Sequence, residues 1–144
     1  ISWRTPLDGL TLQASGNINK TELRNVVPEV ASALPWLSSG RQLSGTAKGT
    51  FSVSGSYVND IGNGWDLKVN GRYSYRSRQQ SVFDGNYAPW SGIGFVRLAM
   101  AKDDFEIALF SNNIGNAQRP ISRPGGQNQV PYPRTFGISF EKRF

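Results

Sequence analysis

Hydrophobic and polar residues alternate along several segments of this chain, and this alternation predicts β-strands. In residues 65–76 the odd positions are apolar, aromatic or glycine, whereas the even positions include Lys68, Arg72 and Arg76. The same pattern recurs in residues 10–19, 51–57, 96–101, 105–109 and 135–144. Residues 1–5 resemble the tail of a further strand. Because a strand places alternate side chains on opposite sides, each segment has one apolar face and one polar face.

The connections between these segments alternate strictly in length. Short turns cover residues 5–9, 59–64 and 102–104, and long connections cover residues 21–44, 79–91 and 112–134. This asymmetry is typical of outer-membrane β-barrels, in which periplasmic turns are short and outer loops are long. No apolar run approaches the roughly 20 residues of a membrane-spanning helix, so any crossing of a membrane is predicted to use strands.

Aromatic residues form two groups that match the two interfaces of a membrane. One group lies near the short turns or the C-terminus: Trp3, Tyr57, Trp65, Phe105 and Phe144. The other lies toward the long connections: Tyr73, Tyr75, Tyr87 and Trp90. Alternating strands and aromatics near turns also suit a soluble β-sandwich or small barrel, and we keep that fold as the alternative.

A barrel of only six strands is too narrow for the polar residues that would point inward. With strands ~4.8 Å apart and tilted ~40°, its circumference is about 38 Å. Lys68, Arg72, Arg76 and Arg97 would face this interior, where charges need water and partners. We therefore expect an antiparallel up-and-down transmembrane segment of a larger barrel, with further strands upstream or on another chain. In the two least regular strands, Ile93, Phe95 and Phe110 fall on the polar side. Ile93 and Phe110 either lie beyond the membrane zone or face a packed interior.

The amino-acid composition excludes several kinds of functional site. The chain has no cysteine and no histidine, which excludes disulfides, thiolate or imidazole metal sites and histidine-based catalysis. Its net charge of +6 is scattered rather than clustered, a distribution that does not favour nucleic-acid binding. The carboxylate pair Asp103 and Asp104 lies in a predicted tight turn and is interpreted as turn-forming. We expect no enzyme activity, no cofactor and no metal.

The C-terminal part of the chain resembles the end of TonB-dependent outer-membrane receptors. The resemblance rests on an Asn-rich step (Asn-Asn-Ile-Gly-Asn, residues 112–116), on Pro-Arg-Thr at residues 133–135 and on the alternating strand ending in Phe144. The opening, with Trp3, Pro6 and Leu-Gln-Ala-Ser-Gly-Asn at residues 12–17, is similar to a hairpin of the same family. The whole chain shares the family's order of strands and loops, and the specific likeness covers about the last thirty residues.

This resemblance implies a bacterial outer-membrane receptor with a 22-stranded barrel and an internal plug domain. Residues 1–144 would supply about six strands of the barrel, without the plug. The family imports scarce nutrients such as siderophores, cobalamin or glycans, using energy that the TonB complex delivers through the plug. Expected partners are outer-membrane lipid, the remaining barrel and plug, the TonB complex, the barrel-assembly machinery and a small-molecule ligand. Phe140 and Phe144 would form the assembly signal. Lys142 departs from the pattern because it lies on the lipid-facing side.

Two groups of residues are candidates for ligand contact. One is a predicted basic ladder formed by Lys68, Arg72, Arg76 and Arg78. The ladder guides an anionic ligand or contacts the plug. The alternative is that acidic residues on neighbouring strands balance its charges. In the outer loops the candidates are Trp36, Tyr87, Trp90, Arg119 and Arg123, with ordinary loop packing as the alternative. Residues 26–37 are apolar for an exposed loop, and we expect a short helix or a fold over the barrel mouth.

The predicted function is therefore a segment of an outer-membrane active-transport receptor. Two alternatives stay open at this point. One is a soluble β-sandwich or barrel that binds a small ligand or glycan in its loops. The other is the end of a passive porin-like or autotransporter barrel.

Overall fold

A computed structural model describes residues 1–81, 83–120 and 127–143. Their strands, in chain order, are β1 (Ser2–Arg4), β2 (Leu10–Ile18), β3 (Gly49–Asp60), β4 (Asp66–Arg76), β5 (Gln79–Gln80), β6 (Tyr87–Ala88), β7 (Ser91–Lys102), β8 (Phe105–Asn112) and β9 (Thr135–Lys142). All pairings are antiparallel, and seven strands form one sheet in the order β1-β2-β3-β4-β7-β8-β9. The all-β antiparallel fold predicted from the alternation is confirmed, including the seventh strand near the N-terminus.

The sheet is open in the described part of the chain. β1 and β9 occupy its two edges and do not pair with each other, so these residues do not close into a barrel. The barrel expected from the sequence stays a prediction.

The long connections contain local structure that the alternation did not reveal. β5 and β6 pair as a separate small hairpin within residues 77–90. Residues 26–37 contain the short helix α1 (Pro28–Ala33), which begins with proline at its first position, and a 3-10 turn at Pro35–Leu37. A short helix was one of the two expectations for this segment. No helix in the described ranges has the length and apolar character needed to cross a membrane.

Because consecutive strands are antiparallel neighbours, every short turn lies at one end of the sheet and every long connection lies at the opposite end. The short turns are residues 5–9, 61–65 and 103–104, and the long connections are residues 19–48, 77–90 and 113–134. Asn63 and Asp103 have positive φ angles of 56° and 49°, a conformation that Asn and Asp tolerate in tight turns. Asp103 thus has the geometry of a turn residue, in line with its interpretation from the sequence.

The strand register collects the apolar side chains on one face of the sheet. Val69 lies opposite Leu98, Leu98 opposite Leu109, and Leu109 opposite Ile138. Directly opposed residues of antiparallel strands share a face, so this row runs across four strands. Leu98, Leu109 and Ile138 remain 45%, 55% and 61% exposed. No second layer covers this apolar face in the described residues.

A conventional hydrophobic core is absent from the described part of the chain. Its buried hydrophobic residues are all alanines: Ala47, Ala88, Ala99, Ala101 and Ala108. Ala99 and Ala108 lie opposite each other on the polar face, and both are almost completely buried. The described residues therefore form one seven-stranded sheet and one small hairpin, with the long connections at one end of the large sheet.

Phe95 and Phe110 lie within strands, on the polar face. Phe110 is directly opposite Gly137, and a Cβ atom placed on Gly137 would lie 2.3 Å from Cζ of Phe110. The ring therefore occupies the space that a side chain at position 137 would fill. For Phe110 this geometry favours the packed-interior alternative of the two considered from the sequence.

Candidate functional site on the polar face and its loops

The predicted basic ladder lies along the polar face of β4. Lys68, Arg72 and Arg76 are four residues apart, which places them on the same side of the strand. Arg78 follows two residues after the strand ends. The four cations have different surroundings, so they do not act as one uniform surface.

Lys68 belongs to an ion-pair cluster that we call the Glu106 cluster, formed by Lys68, Arg97 and Glu106. The Lys68 ammonium is 2.8 Å from Oε2 of Glu106, and the Arg97 guanidinium is 2.5 Å from Oε1. The Glu106 side chain is only 15% exposed. Since Lys68 is opposite Ala99 and Glu106 is opposite Ala101, the cluster crosses β7 above two small side chains. For Lys68 the structure supports a ladder charge balanced by an acidic residue.

Arg76 connects the sheet to two long loops. Its guanidinium donates hydrogen bonds to the carbonyl oxygens of Ser77 (3.1 Å), Pro89 (3.2 Å) and Pro120 (3.4 Å) and to Oε1 of Gln79 (3.1 Å). These acceptors lie in residues 77–90 and 113–134. Arg76 therefore anchors the loops.

Replacing Arg76 with lysine is expected to loosen both loops while leaving the sheet intact. A lysine ammonium cannot reproduce the planar fork that reaches acceptors in two separate segments. Limited proteolysis should cut residues 77–90 and 113–134 of Arg76→Lys several times faster than in the unmodified protein. Arg72→Lys is the matched control, because Arg72 makes no side-chain hydrogen bond or ion pair with the described residues. Equal cleavage of the two variants would contradict the anchoring role.

The aromatic loop candidates separate into different contacts. The Arg119 guanidinium lies 4.0 Å from the Trp90 ring centroid, and the Trp90 and Tyr75 centroids are 6.1 Å apart. Tyr75 is on the apolar face, so Trp90 and Arg119 continue that face toward the long loops. Lys102 lies similarly over Trp65, at 5.8 Å, near the short turns. The structure therefore brings two of the loop candidates, Trp90 and Arg119, into contact with each other.

Trp36 and Tyr87 make other contacts, and Arg123 lies outside the described residues. Trp36 packs on Gly85: a Cβ at position 85 would lie 2.6 Å from Cδ2 of the indole. The Tyr87 ring lies 5.0 Å from the Arg78 guanidinium. The structure therefore joins one loop candidate, Tyr87, to the last member of the basic ladder, Arg78.

Two long loops join around a small cavity next to Arg78, which we call the loop pocket. The Gly45 N–H donates to the Gln80 carbonyl at 2.8 Å, and Nε2 of Gln79 donates to the Gly45 carbonyl at 2.6 Å. The pocket has a volume of about 160 Å³. Its lining includes Arg41, Gln42, Lys48, Arg78, Gln80 and Tyr87. Sequence reasoning missed Arg41 and Lys48 because they lie in an irregular connection without periodic signal.

Phe140 lies in β9 on the apolar face, opposite Ile107, and is 68% exposed. The other member of the predicted assembly signal, Phe144, lies outside the described residues. Lys142 is opposite Phe105, in the last pair before the short turn at residues 103–104. The lysine on the apolar side is therefore at the end of the strand, where its ammonium group can reach water.

Residues 1–81, 83–120 and 127–143 contain no cluster of three or more His, Cys, Asp or Glu side chains suited to a metal ion. Comparison with known proteins gives no match: no family model, curated protein or solved structure is similar to this chain.

Proposed function

We propose that this chain forms part of the wall of a bacterial outer-membrane β-barrel, in a receptor of the TonB-dependent class. Its apolar face would contact lipid, and its polar face would face a water-filled interior and the plug. The carrying observation is the single-layered sheet, whose contiguous apolar face is uncovered by any described residue.

An uncovered face of this kind is costly in water. Burial of apolar surface contributes about 25 cal/mol per Å², and soluble monomers rarely expose large contiguous apolar patches. A soluble β-sandwich would cover the row of Val69, Leu98 and Leu109 with a second sheet, which the described residues do not supply. Lipid covers the same row without a second layer.

The two open edges support a larger assembly. β1 and β9 each leave one side of their backbone without a strand partner in the described sheet. In hydrocarbon every backbone N–H and C=O group needs a partner, so a membrane location requires further strands. We infer that these strands belong to the rest of the barrel.

The receptor class rests on the resemblance of residues 112–116 and 131–144 to the family's C-terminal segment. On this proposal the long loops at one end of the sheet bind a scarce nutrient outside the cell, and the TonB complex supplies the energy for its import. Loops carried on a rigid scaffold suit such binding.

A labelling experiment in the full-length protein tests which face contacts lipid. The chain has no cysteine, so each introduced cysteine is the only one contributed by this segment. Leu109→Cys and Ile138→Cys report on the apolar face, and Ser54→Cys and Arg72→Cys on the polar face. With a bimane label, brominated lipid chains should quench the first pair, and aqueous iodide should quench the second.

Equal quenching of both faces by lipid or by iodide would contradict the proposed membrane orientation. So would recovery of the protein from the aqueous fraction as a folded monomer.

Dependence on TonB separates a receptor from a passive porin. Nutrient uptake through this protein should be lost in a strain without TonB, whereas uptake by a porin would continue.

A further inference from the structure

The loop pocket brings together three cations without acidic partners. Arg41, Lys48 and Arg78 all line it. None of the three makes an ion pair or a side-chain hydrogen bond with the residues that the structure describes. The nearby carboxylate of Glu22 is 3.5 Å from Arg24, with which it forms an ion pair. The pocket therefore carries positive charge that the described chain leaves unbalanced.

Two of these cations are held opposite each other by the backbone. The Gly49 N–H donates to Oγ of Ser77 at 3.0 Å, and the Ser77 N–H donates to the Gly49 carbonyl at 2.9 Å. The Ser77–Gly49 backbone bond and the antiparallel bridge between Ala47 and Gln79 continue the register of β3 and β4, so Lys48 lies opposite Arg78. Like charges directly opposite in an antiparallel pair destabilise the fold. A bound anion would convert this repulsion into attraction.

The surroundings hold the pocket in place before any ligand arrives. Nε2 of Gln80 donates to the Gly85 carbonyl at 2.9 Å, and Nε2 of Gln42 donates to the Thr46 carbonyl at 3.2 Å. The Tyr87 ring beneath the Arg78 guanidinium restricts its orientation. Guanidinium groups bind carboxylate and phosphate through paired hydrogen bonds.

We propose that the loop pocket binds one carboxylate or phosphate group of a soluble ligand, with Arg41, Lys48 and Arg78 as the binding residues. The volume of about 160 Å³ suits such a compact group. Where the chain is a receptor, as proposed above, this site selects an anionic nutrient, and in that respect the inference rests on the proposed function. Anion binding itself does not depend on it.

Calorimetric titration of the full-length protein in detergent tests this site, with citrate and inorganic phosphate as probes and choline as a cationic control. We expect saturable binding of at least one anion and none of choline. Arg78→Gln and Lys48→Gln should each weaken the anion affinity about tenfold, because each removes a charged hydrogen-bond donor. Arg4→Gln is the matched control. It makes the same charge change next to a short turn, at the opposite end of the sheet from the loop pocket, and should leave the anion affinity unchanged.

Absence of saturable anion binding by the unmodified protein would overturn the inference, as would equal weakening by Arg4→Gln and Arg78→Gln. Arg78→Lys keeps the charge and should retain more affinity than Arg78→Gln; equal affinity of these two variants also counts against the site. Vesicles of anionic phosphatidylglycerol should not compete with citrate, and competition would overturn a site for soluble anions.

The outcome is independent of the membrane experiment. Lipid quenching at Leu109→Cys without anion binding refutes the pocket and leaves the barrel proposal standing. Anion binding by a protein that stays in the aqueous fraction refutes the barrel proposal and leaves the pocket.

Discussion

If the apolar face contacts lipid, as proposed, replacing Leu98 with arginine is expected to destabilise the protein by about 2–4 kcal/mol. Leu98 lies in β7, next to the central strand β4. It is on the apolar face, opposite Val69 and Leu109. Its side chain is 45% exposed, so a larger residue meets no packing obstacle in a second layer. In the proposed membrane location the cost comes from placing a charge in hydrocarbon, where hydration is lost.

Ser56→Arg is the matched control on the polar face. Ser56 lies opposite Thr11 and Asn70, so the new charge has no cation directly across from it. We expect this variant to stay within about 0.5 kcal/mol of the unmodified protein. Urea unfolding from lipid vesicles, together with the yield of heat-modifiable protein on gels, measures both. If the two arginines are tolerated equally, the two faces have been assigned wrongly.

Replacing Glu106 with glutamine is expected to destabilise the protein by about 1.5–3 kcal/mol, the range for hydrogen bonds to charged groups. The substitution keeps the shape of the side chain but leaves Lys68 and Arg97 on the polar face without their shared carboxylate. The three side chains are 15–31% exposed, so water compensates only in part. Repulsion between the two remaining cations adds to the loss.

Glu141→Gln is the control for Glu106→Gln, because Glu141 lies directly opposite Glu106 in β9. Its partner is Arg143, at 3.2 Å, and both of these side chains are largely exposed. An exposed ion pair contributes about 0–1 kcal/mol, so this variant should be nearly neutral. The denaturant midpoints of the two variants measure these losses of stability. Equal midpoints would show that the Glu106 cluster contributes no more to stability than an exposed ion pair.

Strand positions and their two faces could be read from the sequence because they depend on local backbone geometry. In β4 the alternation from Asp66 to Arg76 separates Leu67 and Val69 from Lys68 and Arg72 without knowledge of any neighbour. The turn chemistry of Asn63 and Asp103 is equally local. The short β5–β6 hairpin was missed because two-residue strands carry no usable period.

The candidate site was only partly predictable, since its contacts join distant segments. Lys68 and Arg76 were identified as polar-face cations, but their partners lie 38 and up to 44 residues away. Register decides that Lys68 meets Glu106, and loop packing decides that Arg76 holds Pro89 and Pro120. Arg41 and Lys48 line the loop pocket only because two long loops place them beside Arg78.

The alternation of side chains is enough to predict antiparallel strands with one apolar face, because side-chain direction repeats every two residues along any strand. The packing of the strands and loops was needed to show that no second layer of described residues covers that face, and to show which charges neutralise each other. Coverage and charge pairing depend on which segments meet in space, and the periodicity of a single segment does not contain that information.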